Sequence, residues 1–396
     1  MKTKFVFYLF SFSILLNFNA SLYPCTTFCL HIENELIFGR NYDWTIEYGI
    51  IFVNKKDVLK TAANEFNKQA QWTSKYGSVT FNQFGREFPT GGINETGLVI
   101  ELMWLEGTEY PEKDHRPAVG GILQWIQYQL DNCSTVEEVI ETDKHIRIPK
   151  GAVPVHYLVT DSSGNSASIE FLNGKMKVHS GNEMKFSVLT NDTYENSIDY
   201  INKLKIFGGR KNLTNENNSL FRFAKTCSMI QNYKDKITIP VVDYGFEILN
   251  EVSQNEYTRW SIVYDIKNRK IFYKTNSNKE IRNIDMSMLD FKCITPVMMI
   301  DINEGRSENI NYRLKDYSYE SNRKLIEDSY GSVDFLKDTS DEEKNYTASY
   351  PEKLHCTGGS GFNENENPET KAGIPFLIFC GVFIGAAAIF LKYKLL

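Results

Sequence analysis

Two neighbouring stretches of the chain, Cys25-Thr-Thr-Phe-Cys-Leu-His-Ile32 and Leu36-Ile-Phe-Gly-Arg-Asn-Tyr42, decide the fold. Both alternate apolar and polar side chains, which is typical of β-strands, and the residues between them predict a short turn. An antiparallel hairpin with its turn centred on Asn34 sets Cys25 opposite Asp43. Arg40 then lies nearby on the same ribbon, so the hairpin gathers a thiol, a carboxylate and a guanidinium near one end.

The residues before Cys25 read as a leader that is removed. Lys2 and Lys4 precede an apolar run from Phe5 to Leu16, and small residues follow at positions 19–21. This is the pattern of a secretory signal peptide. Residues 1–24 are therefore predicted to be a signal peptide with a short propeptide. Pro24 suits signal peptidase poorly, so we expect the last four residues to leave when the Cys25 thiol attacks the preceding carbonyl.

Removal of the leader would give Cys25 two reactive groups, a thiol nucleophile and a free α-amine of near-neutral pKa that can act as its base. Arg40 would favour the thiolate, and Asp43 would accept hydrogen bonds from the new ammonium or from the thiol. Position alone favours a buried or disulfide-bonded Cys25, which is the common fate of cysteines in an oxidising lumen. A lipidated cysteine after a bacterial signal is a second alternative, which Leu22-Tyr23-Pro24 fits poorly.

Composition narrows the class of protein. The chain has 396 residues, 42% of them hydrophobic, and a net charge of −6. No basic block is present, which excludes nucleic acid as a partner. Of the seven cysteines, four are candidates for disulfides with the pairing left open: Cys133, Cys227, Cys293 and Cys356. The histidines show no metal-ligand spacing, so we expect neither a metal nor a cofactor.

The chain is expected to form one folded domain, residues 25–318, with appendages. Residues 319–371 are poor in apolar pattern and rich in acidic and small polar residues, which predicts a flexible acidic stalk. Residues 372–391 carry no charge and are long enough for a transmembrane helix, with residues 392–396 as a cytosolic tail. The alternative is a lipid-anchor signal, for which Gly358-Gly-Ser360 would be the attachment site.

The remaining pattern predicts antiparallel sheets packed against helices, an α+β fold. Helical periodicity appears at about 118–131, 135–142, 195–204 and 219–230. Segments rich in β-branched and aromatic residues predict further strands at residues 77–81, 97–101, 154–160, 166–171, 186–190, 259–265 and 270–275.

Six motifs in order resemble one enzyme family over roughly residues 25–290. They are Cys25-Thr-Thr-Phe28, Gly39-Arg-Asn-Tyr-Asp-Trp44, Gly91-Gly-Ile-Asn-Glu-Thr-Gly-Leu98, Leu189-Thr-Asn191, Phe221-Arg-Phe223 and Tyr257-Thr-Arg-Trp260. Together they are similar to the linear amide C–N hydrolases of the choloylglycine hydrolase and penicillin V acylase family, whose nucleophile is an N-terminal cysteine. The resemblance implies a four-layer α/β/β/α sandwich.

The resemblance also implies roles for particular residues. Cys25 is the expected nucleophile, and Arg40 and Asp43 are its partners. Asn191 matches the oxyanion-hole asparagine, and Asn94 matches a residue that lines the same site. Arg222 matches a second arginine of the site, with Arg259 as its rival, and Trp44 is a candidate for the pocket wall. Both asparagines also fit ordinary turn chemistry.

The implied activity is hydrolysis of a non-peptide C–N bond in a linear amide through a thioester. Bile-salt conjugates, penicillin V, N-acyl homoserine lactones and fatty N-acyl amides all suit such enzymes. Two alternatives stay open: a non-catalytic binding module with the same fold, and an acid ceramidase-like lipid amidase, which the short leader disfavours. A small acyl amide and a membrane are the expected partners, and a homo-oligomer is one option for the assembly.

Glycosylation sequons favour a secretory route with a lumenal, extracellular or periplasmic domain. They begin at Asn132, Asn212, Asn217 and Asn345. Asn94 and Asn191 also begin sequons, and we expect folding to bury them and leave both unmodified.

Overall fold

The computed structural model describes residues 24–63, 68–214, 216, 218–233 and 238–357. In chain order the strands are β1 (Thr26–Ile32), β2 (Glu35–Asp43), β3 (Ile50–Asn54), β4 (Val58–Thr61), β5 (Gln71–Thr73), β6 (Ser78–Asn82), β7 (Pro89–Asn94), β8 (Val99–Trp104), β9 (Val155–Thr160), β10 (Ser166–Leu172), β11 (Lys175–Ser180), β12 (Val188–Leu189), β13 (Thr258–Asp265), β14 (Lys270–Thr275), β15 (Arg282–Asp285), β16 (Met298–Asp301), β17 (Lys315–Asp316) and β18 (His355–Cys356). The helices are α1 (Ile122–Asn132), α2 (Val136–Glu141), α3 (Tyr194–Ile201), α4 (Ser219–Asn232), α5 (Val241–Glu251), α6 (Tyr319–Ser332) and α7 (Asp341–Ser349).

Two large antiparallel sheets form the centre of the molecule. The first has the strand order β12-β1-β2-β13-β14-β15, and the second has the order β11-β10-β9-β8-β7-β6-β3-β16-β17. A small third sheet has the order β18-β4-β5. Most neighbouring strands in the large sheets are also consecutive in the chain, which is why short turns and alternating side chains identified many of them from the sequence.

The β1–β2 hairpin forms as predicted, but its register is displaced by one residue. Ile32 pairs with Glu35 and Thr26 pairs with Asn41. The loop therefore holds two residues rather than three, and Cys25 lies beside Tyr42 instead of Asp43. In an antiparallel pair one residue of slip changes which side chains share a face. Arg40, which pairs with Thr27, consequently points to the same side of the sheet as Cys25.

The two large sheets face each other across one hydrophobic core. Phe81 of the second sheet contacts Tyr264 and Tyr273 of the first, with ring centroids 6.1 and 5.7 Å apart in edge-to-face geometry. Such pairs gain roughly 1 kcal/mol beyond the area that they bury. Charged groups on these inner faces lie within the core and therefore need partners.

Helices cover both outer faces. On the first sheet, α5 lies so close that a methyl group on Gly245 would meet Ile37 and Val263. On the second sheet, α1 packs through Trp125, which stacks on Tyr157 at 4.3 Å. The order helix, sheet, sheet, helix is the layering expected for the mixed α/β fold.

The prediction of a flexible stalk was wrong for residues 319–357, which fold onto the domain. Although α6 is polar overall, Leu325, Ile326 and Tyr330 recur on one face and are buried. A mean composition conceals such a stripe, because only one face of a helix needs to be apolar. Strand β18 pairs with β4, and a disulfide joins Cys293 to Cys356. The folded unit therefore extends well beyond residue 318.

Four predictions fall on residues outside the described part: most of the signal peptide and propeptide, stalk residues 358–371, the transmembrane helix at 372–391 and the tail at 392–396. Among the residues that are described, no helix is both long enough and apolar enough to cross a bilayer. Of the four cysteines whose pairing the sequence left open, Cys293 and Cys356 form a disulfide. Cys133 and Cys227 are free and buried.

Candidate active site

Cys25 lies immediately before β1, at the floor of a pocket between the sheets, and only 3% of it is exposed. Its thiol donates a hydrogen bond to the main-chain oxygen of Asp43 at 3.9 Å. Burial raises the pKa of this thiol, while the nearby guanidinium of Arg40 opposes the rise. The thiol is therefore protonated at neutral pH, and a nucleophilic role requires a base.

Asp43 is fully buried next to Cys25, and one of its carboxylate oxygens lacks a partner. Thr258 donates to Oδ1, whereas Oδ2 has no hydrogen-bond partner among the described residues. Burial raises the pKa of Asp43 to about 7, although the guanidinium of Arg222 opposes this. Because the chain continues upstream to Pro24, the nitrogen of Cys25 is a peptide nitrogen here.

Arg222 connects Cys25 to Asn191. From α4 its Nη1 donates to the carbonyl oxygen of Cys25 at 2.6 Å and to the hydroxyl of Thr26 at 2.9 Å. Its Nη2 donates to Oδ1 of Asn191 at 2.9 Å. Helix α4 begins with the side-chain cap of Asn218, which orients the first turn that carries Arg222. The arginine thus fixes the main chain at Cys25 and the side-chain amide of Asn191 at the same time.

The orientation of the Asn191 amide follows from its partners. A guanidinium can only donate and a carbonyl can only accept. Arg222 must therefore face Oδ1, and the main-chain oxygen of Trp104, 2.9 Å from Nδ2, must face the amino end. His156 supports this loop from below, since its Nε2 lies 2.7 Å from the carbonyl oxygen of Thr190. The amino end of Asn191 therefore points to the main chain of Trp104, a residue that lines the pocket.

Arg40 is neutralised inside the core. Its Nη1 forms a buried ion pair with Glu101 and also donates to the carbonyl oxygen of Thr90 at 3.0 Å. The other oxygen of Glu101 accepts from Tyr264. Gly91 leaves the space for this carboxylate, because a methyl group there would collide with it. A buried guanidinium without such a partner would be strongly destabilising.

The pocket above Cys25 is apolar. About 660 Å³ of space, open solvent at the mouth included, lies between its walls. None of the lining side chains in the described part of the chain is charged. They are Cys25, Tyr42, Trp44, Phe84, Thr90, Leu102, Trp104, Ile122, Leu123, Val153, Val155, Tyr330, Phe335 and Leu336. Such a pocket binds an apolar group and leaves polar recognition to its floor.

Asn94 does not belong to this site, which corrects the sequence prediction. Its Nδ2 donates to the carbonyl oxygens of Leu130 and Cys133, and its Oδ1 accepts from Thr96 and Leu98. It thus ties the turn after β7 to the end of α1. Both amide hydrogens are used, so Asn94 has none left for a reacting carbonyl.

The rival arginine, Arg259, is also placed elsewhere. It donates to the carbonyl oxygens of Trp44 and Thr45 at 2.8 and 2.7 Å, where it holds the loop after β2. The structure therefore brings together Cys25, Asp43, Asn191 and Arg222, with Arg40 as a close charge. Trp44 lines the pocket, as its position after the hairpin suggested.

Three neighbours of the site escaped the sequence analysis: Glu101, Trp104 and His156. Glu101 is a lone charge in an apolar strand, which is a signal that a buried partner exists. The sequence around Trp104 is typical of a core strand, and only tertiary packing shows this residue in the pocket wall. His156 has no local pattern that reveals its contact with Thr190. In the described ranges no group of three or more histidine, cysteine or acidic side chains could hold a metal ion.

Comparison with known proteins agrees with this geometry. The sequence profile of the linear amide C–N hydrolases, choloylglycine hydrolase family, matches residues 25–230. That is more than half of the chain, so this protein belongs to that family, and the resemblance drawn from its motifs is confirmed. It is a linear amide C–N hydrolase by class.

The chain is similar to penicillin V acylase of Pectobacterium atrosepticum, with 27% identity over 311 residues, which cover 67% of this chain and 82% of that protein. Among solved structures, penicillin V acylase from Agrobacterium tumefaciens matches with a TM-score of 0.65 and 27% identity, over 74% of this chain and 98% of the other. A mutant of conjugated bile acid hydrolase from Clostridium perfringens shares the fold, with a TM-score of 0.59 and 20% identity over 72% and 99%.

Proposed function

We propose that this protein hydrolyses linear N-acyl amides that carry an apolar acyl group, with Cys25 as the nucleophile once the bond between Pro24 and Cys25 is cut. The observation that carries the proposal is the buried thiol in the lining of an uncharged pocket, with Arg222 linking the carbonyl oxygen of Cys25 to the side chain of Asn191. The resemblance to penicillin V acylases supports the same reaction class.

The unpartnered oxygen of Asp43 supports the processed form of the enzyme. Cleavage before Cys25 would create an α-ammonium whose hydrogens need an acceptor. Oδ2 of Asp43 is buried next to Cys25 and has no partner in the described structure, so it can take one of them as a charge-assisted hydrogen bond. The same ammonium would lower the pKa of Asp43 and keep it ionised.

In the proposed reaction the neutral α-amine takes the proton of the Cys25 thiol, and the thiolate attacks the substrate carbonyl. Asn191 donates to the oxyanion that develops, an interaction that contributes about 3–4 kcal/mol in comparable sites. The C–N bond then breaks while the α-ammonium protonates the leaving amine. Water, deprotonated by the same amine, hydrolyses the thioester and releases the carboxylic acid.

Processing before Cys25 follows the same chemistry. After a signal peptidase cut near Ala20, the thiol attacks the carbonyl carbon of Pro24, the peptide bond breaks, and the freed nitrogen becomes the α-amine. Hydrolysis of the resulting thioester releases the last leader residues. The disulfide between Cys293 and Cys356 supports an oxidising compartment, in keeping with the secretory route.

The test combines a chain-end measurement with an activity measurement. The full chain is produced in a secretory host, its N-terminus is sequenced, and it is assayed with a panel of N-acyl amides. We expect a chain that begins at Cys25 and releases amine with a rapid first turnover. Cys25→Ala and Cys25→Ser are expected to lose activity, and Cys25→Ala is expected to retain the leader residues that its thiol would have removed.

Cys29→Ala is the matched control, because Cys29 is a buried cysteine of β1, the strand that follows Cys25, and lies outside the pocket lining. It should keep full activity. A chain that begins at Cys25 yet releases no amine from any member of the panel would refute the proposed reaction. A chain whose Cys25 nitrogen stays in a peptide bond would instead indicate a binding module.

A further inference from the structure

The C-terminal cap, defined as residues 319–357, supplies one wall of the pocket above Cys25. Tyr330, Phe335 and Leu336 line that wall. The ring of Phe335 meets Trp44 edge-to-face at 6.5 Å, and the ring of Tyr330 meets Phe84 at 6.2 Å. Cap residues therefore pack directly against Trp44 and Phe84, which follow strands β2 and β6 and also line the pocket. The cap itself lies beyond residues 25–230, which the family profile matches.

The cap is attached along its whole length, so its wall is preformed. Near its start, Leu325 packs among Ile50, Phe52 and Met299. Asn322 receives a hydrogen bond from the main-chain nitrogen of Arg86 at 2.8 Å.

The far end of the cap is fixed as firmly. The hydroxyl of Tyr350 donates to the carbonyl oxygen of Thr61 at 2.8 Å. Strand β18 extends the small sheet, and Cys356 is bonded to Cys293. A segment held at both ends in this way keeps the side chains between them in place.

We propose that the cap sets the specificity for the acyl group, with Leu336 and Phe335 limiting the length of the apolar chain that the pocket accepts. This inference rests on the proposed function and deepens it. Leu336 is nearly fully buried against the core and also faces the pocket. Its size therefore decides how far the space above Cys25 extends on that side, and neither residue contacts the nucleophile by any described bond.

The test compares the full chain with Leu336→Ala and Leu336→Phe on p-nitroanilides of straight-chain acids from four to twelve carbons. Leu336→Ala should move the optimum to longer chains, and Leu336→Phe should move it to shorter ones. The ratio of kcat/KM between the twelve-carbon and six-carbon substrates should change at least about tenfold in each direction, as expected when a pocket gains or loses a few carbon atoms. Opposite shifts cannot arise from general loosening of the fold.

Leu325→Ala is the matched control. It removes the same atoms from the same cap, from a side chain that is equally buried but packs away from the pocket. It should reduce stability without altering the chain-length profile. If it moves the profile as much as Leu336→Ala does, or if both Leu336 variants keep the profile of the parent chain, the proposal is overturned. Phe335→Ala replaces Leu336→Ala if the latter does not fold.

A binding measurement separates this inference from the proposed function. Cys25→Ser is titrated with octanoic and dodecanoic acid, with and without the Leu336 substitutions, while the intrinsic tryptophan fluorescence is followed, to which Trp44 and Trp104 of the pocket wall contribute. If the Leu336 substitutions shift the preference between the two acids in the expected directions, the proposed role of the cap in acyl-chain specificity is supported. If no amide is hydrolysed at the same time, only the proposed reaction is refuted. If the parent and its Leu336 variants bind the two acids with the same ratio of affinities, the cap inference fails whatever the activity.

Discussion

Arg222 donates from Nη1 to the carbonyl oxygen of Cys25 at 2.6 Å, although 197 residues separate the two in sequence. Its second terminal nitrogen holds Asn191 at 2.9 Å. One planar guanidinium therefore holds Cys25 and Asn191, the proposed nucleophile and the proposed oxyanion donor, at a fixed separation. An ammonium cannot reproduce this geometry, because it is a point charge rather than a rigid fork.

We expect Arg222→Lys to lower kcat by about 10²–10³-fold, since a displaced oxyanion donor costs about 3–4 kcal/mol. Steady-state kinetics on an N-acyl amide measures the change. Arg282→Lys is the control: Arg282 is also fully buried, but it lies on β15, four strands from β1 in the sheet. A drop of the same size in both variants would show that buried arginines matter for folding only.

The carboxyl group of Asp43 should make the uncleaved chain less stable as the pH rises. Its pKa is about 7 in the folded chain, against an ordinary value of 3.8. Between these values the folded state holds a proton that the unfolded state has released, so the free energy of unfolding falls with increasing pH. The loss is complete above about pH 7 and amounts to at most about 4 kcal/mol at ~1.4 kcal/mol per pKa unit.

Cys25→Ala, which is expected to retain the upstream residues, is the background for this measurement. Its urea denaturation is recorded at pH 4.5 and pH 7.5, with and without Asp43→Asn. The additional substitution should flatten the pH dependence, because asparagine does not titrate. Equal slopes for the two proteins would show that Asp43 carries no such cost.

Glu101→Gln should both destabilise the fold and activate the thiol. It leaves the buried guanidinium of Arg40 without its counter-charge, at a cost of about 3–5 kcal/mol. The positive charge of Arg40 already opposes the rise in the pKa of Cys25, and it acts more strongly once unpaired. The rate of Cys25 alkylation by iodoacetamide should therefore reach its plateau at lower pH than in the parent chain.

Glu87→Gln is the control for that experiment. Glu87 pairs with Lys60 in another buried cluster, and neither residue lines the pocket. It should lower stability in urea denaturation by less, because Lys60 keeps Asp131 as a partner, and it should leave the alkylation profile unchanged. An unshifted profile for Glu101→Gln would mean that the charge of Arg40 does not reach the thiol.

Glycan occupancy should follow burial. In a eukaryotic secretory host we expect glycans at Asn212 and Asn345, which are exposed, and none at Asn94 and Asn191, which are at most 9% exposed. Glycan occupancy at each asparagine is measured by peptide mass spectrometry after enzymatic deglycosylation in water labelled with heavy oxygen. A glycan on Asn191 would be incompatible with its contacts to Arg222 and Trp104.

Sequence predicted the parts of this molecule that depend on neighbouring residues. The β1–β2 hairpin and helices α1 to α4 follow from alternation, periodicity and turn residues, and each was located within a few positions. The predicted register of the hairpin was wrong by one residue. The polar residues 33–35 do not show whether the loop holds two residues or three, and the register depends on that length.

Long-range contacts account for the rest. Asn94 and Asn191 both lie in turn-like sequences. The neighbouring residues do not show that the amide hydrogens of Asn94 are bonded at the end of α1, whereas Asn191 contacts Arg222. The pairing of Arg40 with Glu101 joins two sheets. Likewise, residues 319–357 are polar on average, and this average concealed α6. The apolar face of α6 is recognisable only once the domain on which it packs is known.

The attachment of the C-terminal cap divides the molecule into parts that can evolve separately. Cys25, Asn191 and the buried pair of Arg40 with Glu101 all lie within residues 25–230, the stretch that the family profile matches, whereas part of the pocket wall comes from residues 319–357. A change in the cap can therefore reshape the pocket without touching these residues, and a chain shortened before residue 319 would open that side of the pocket to water.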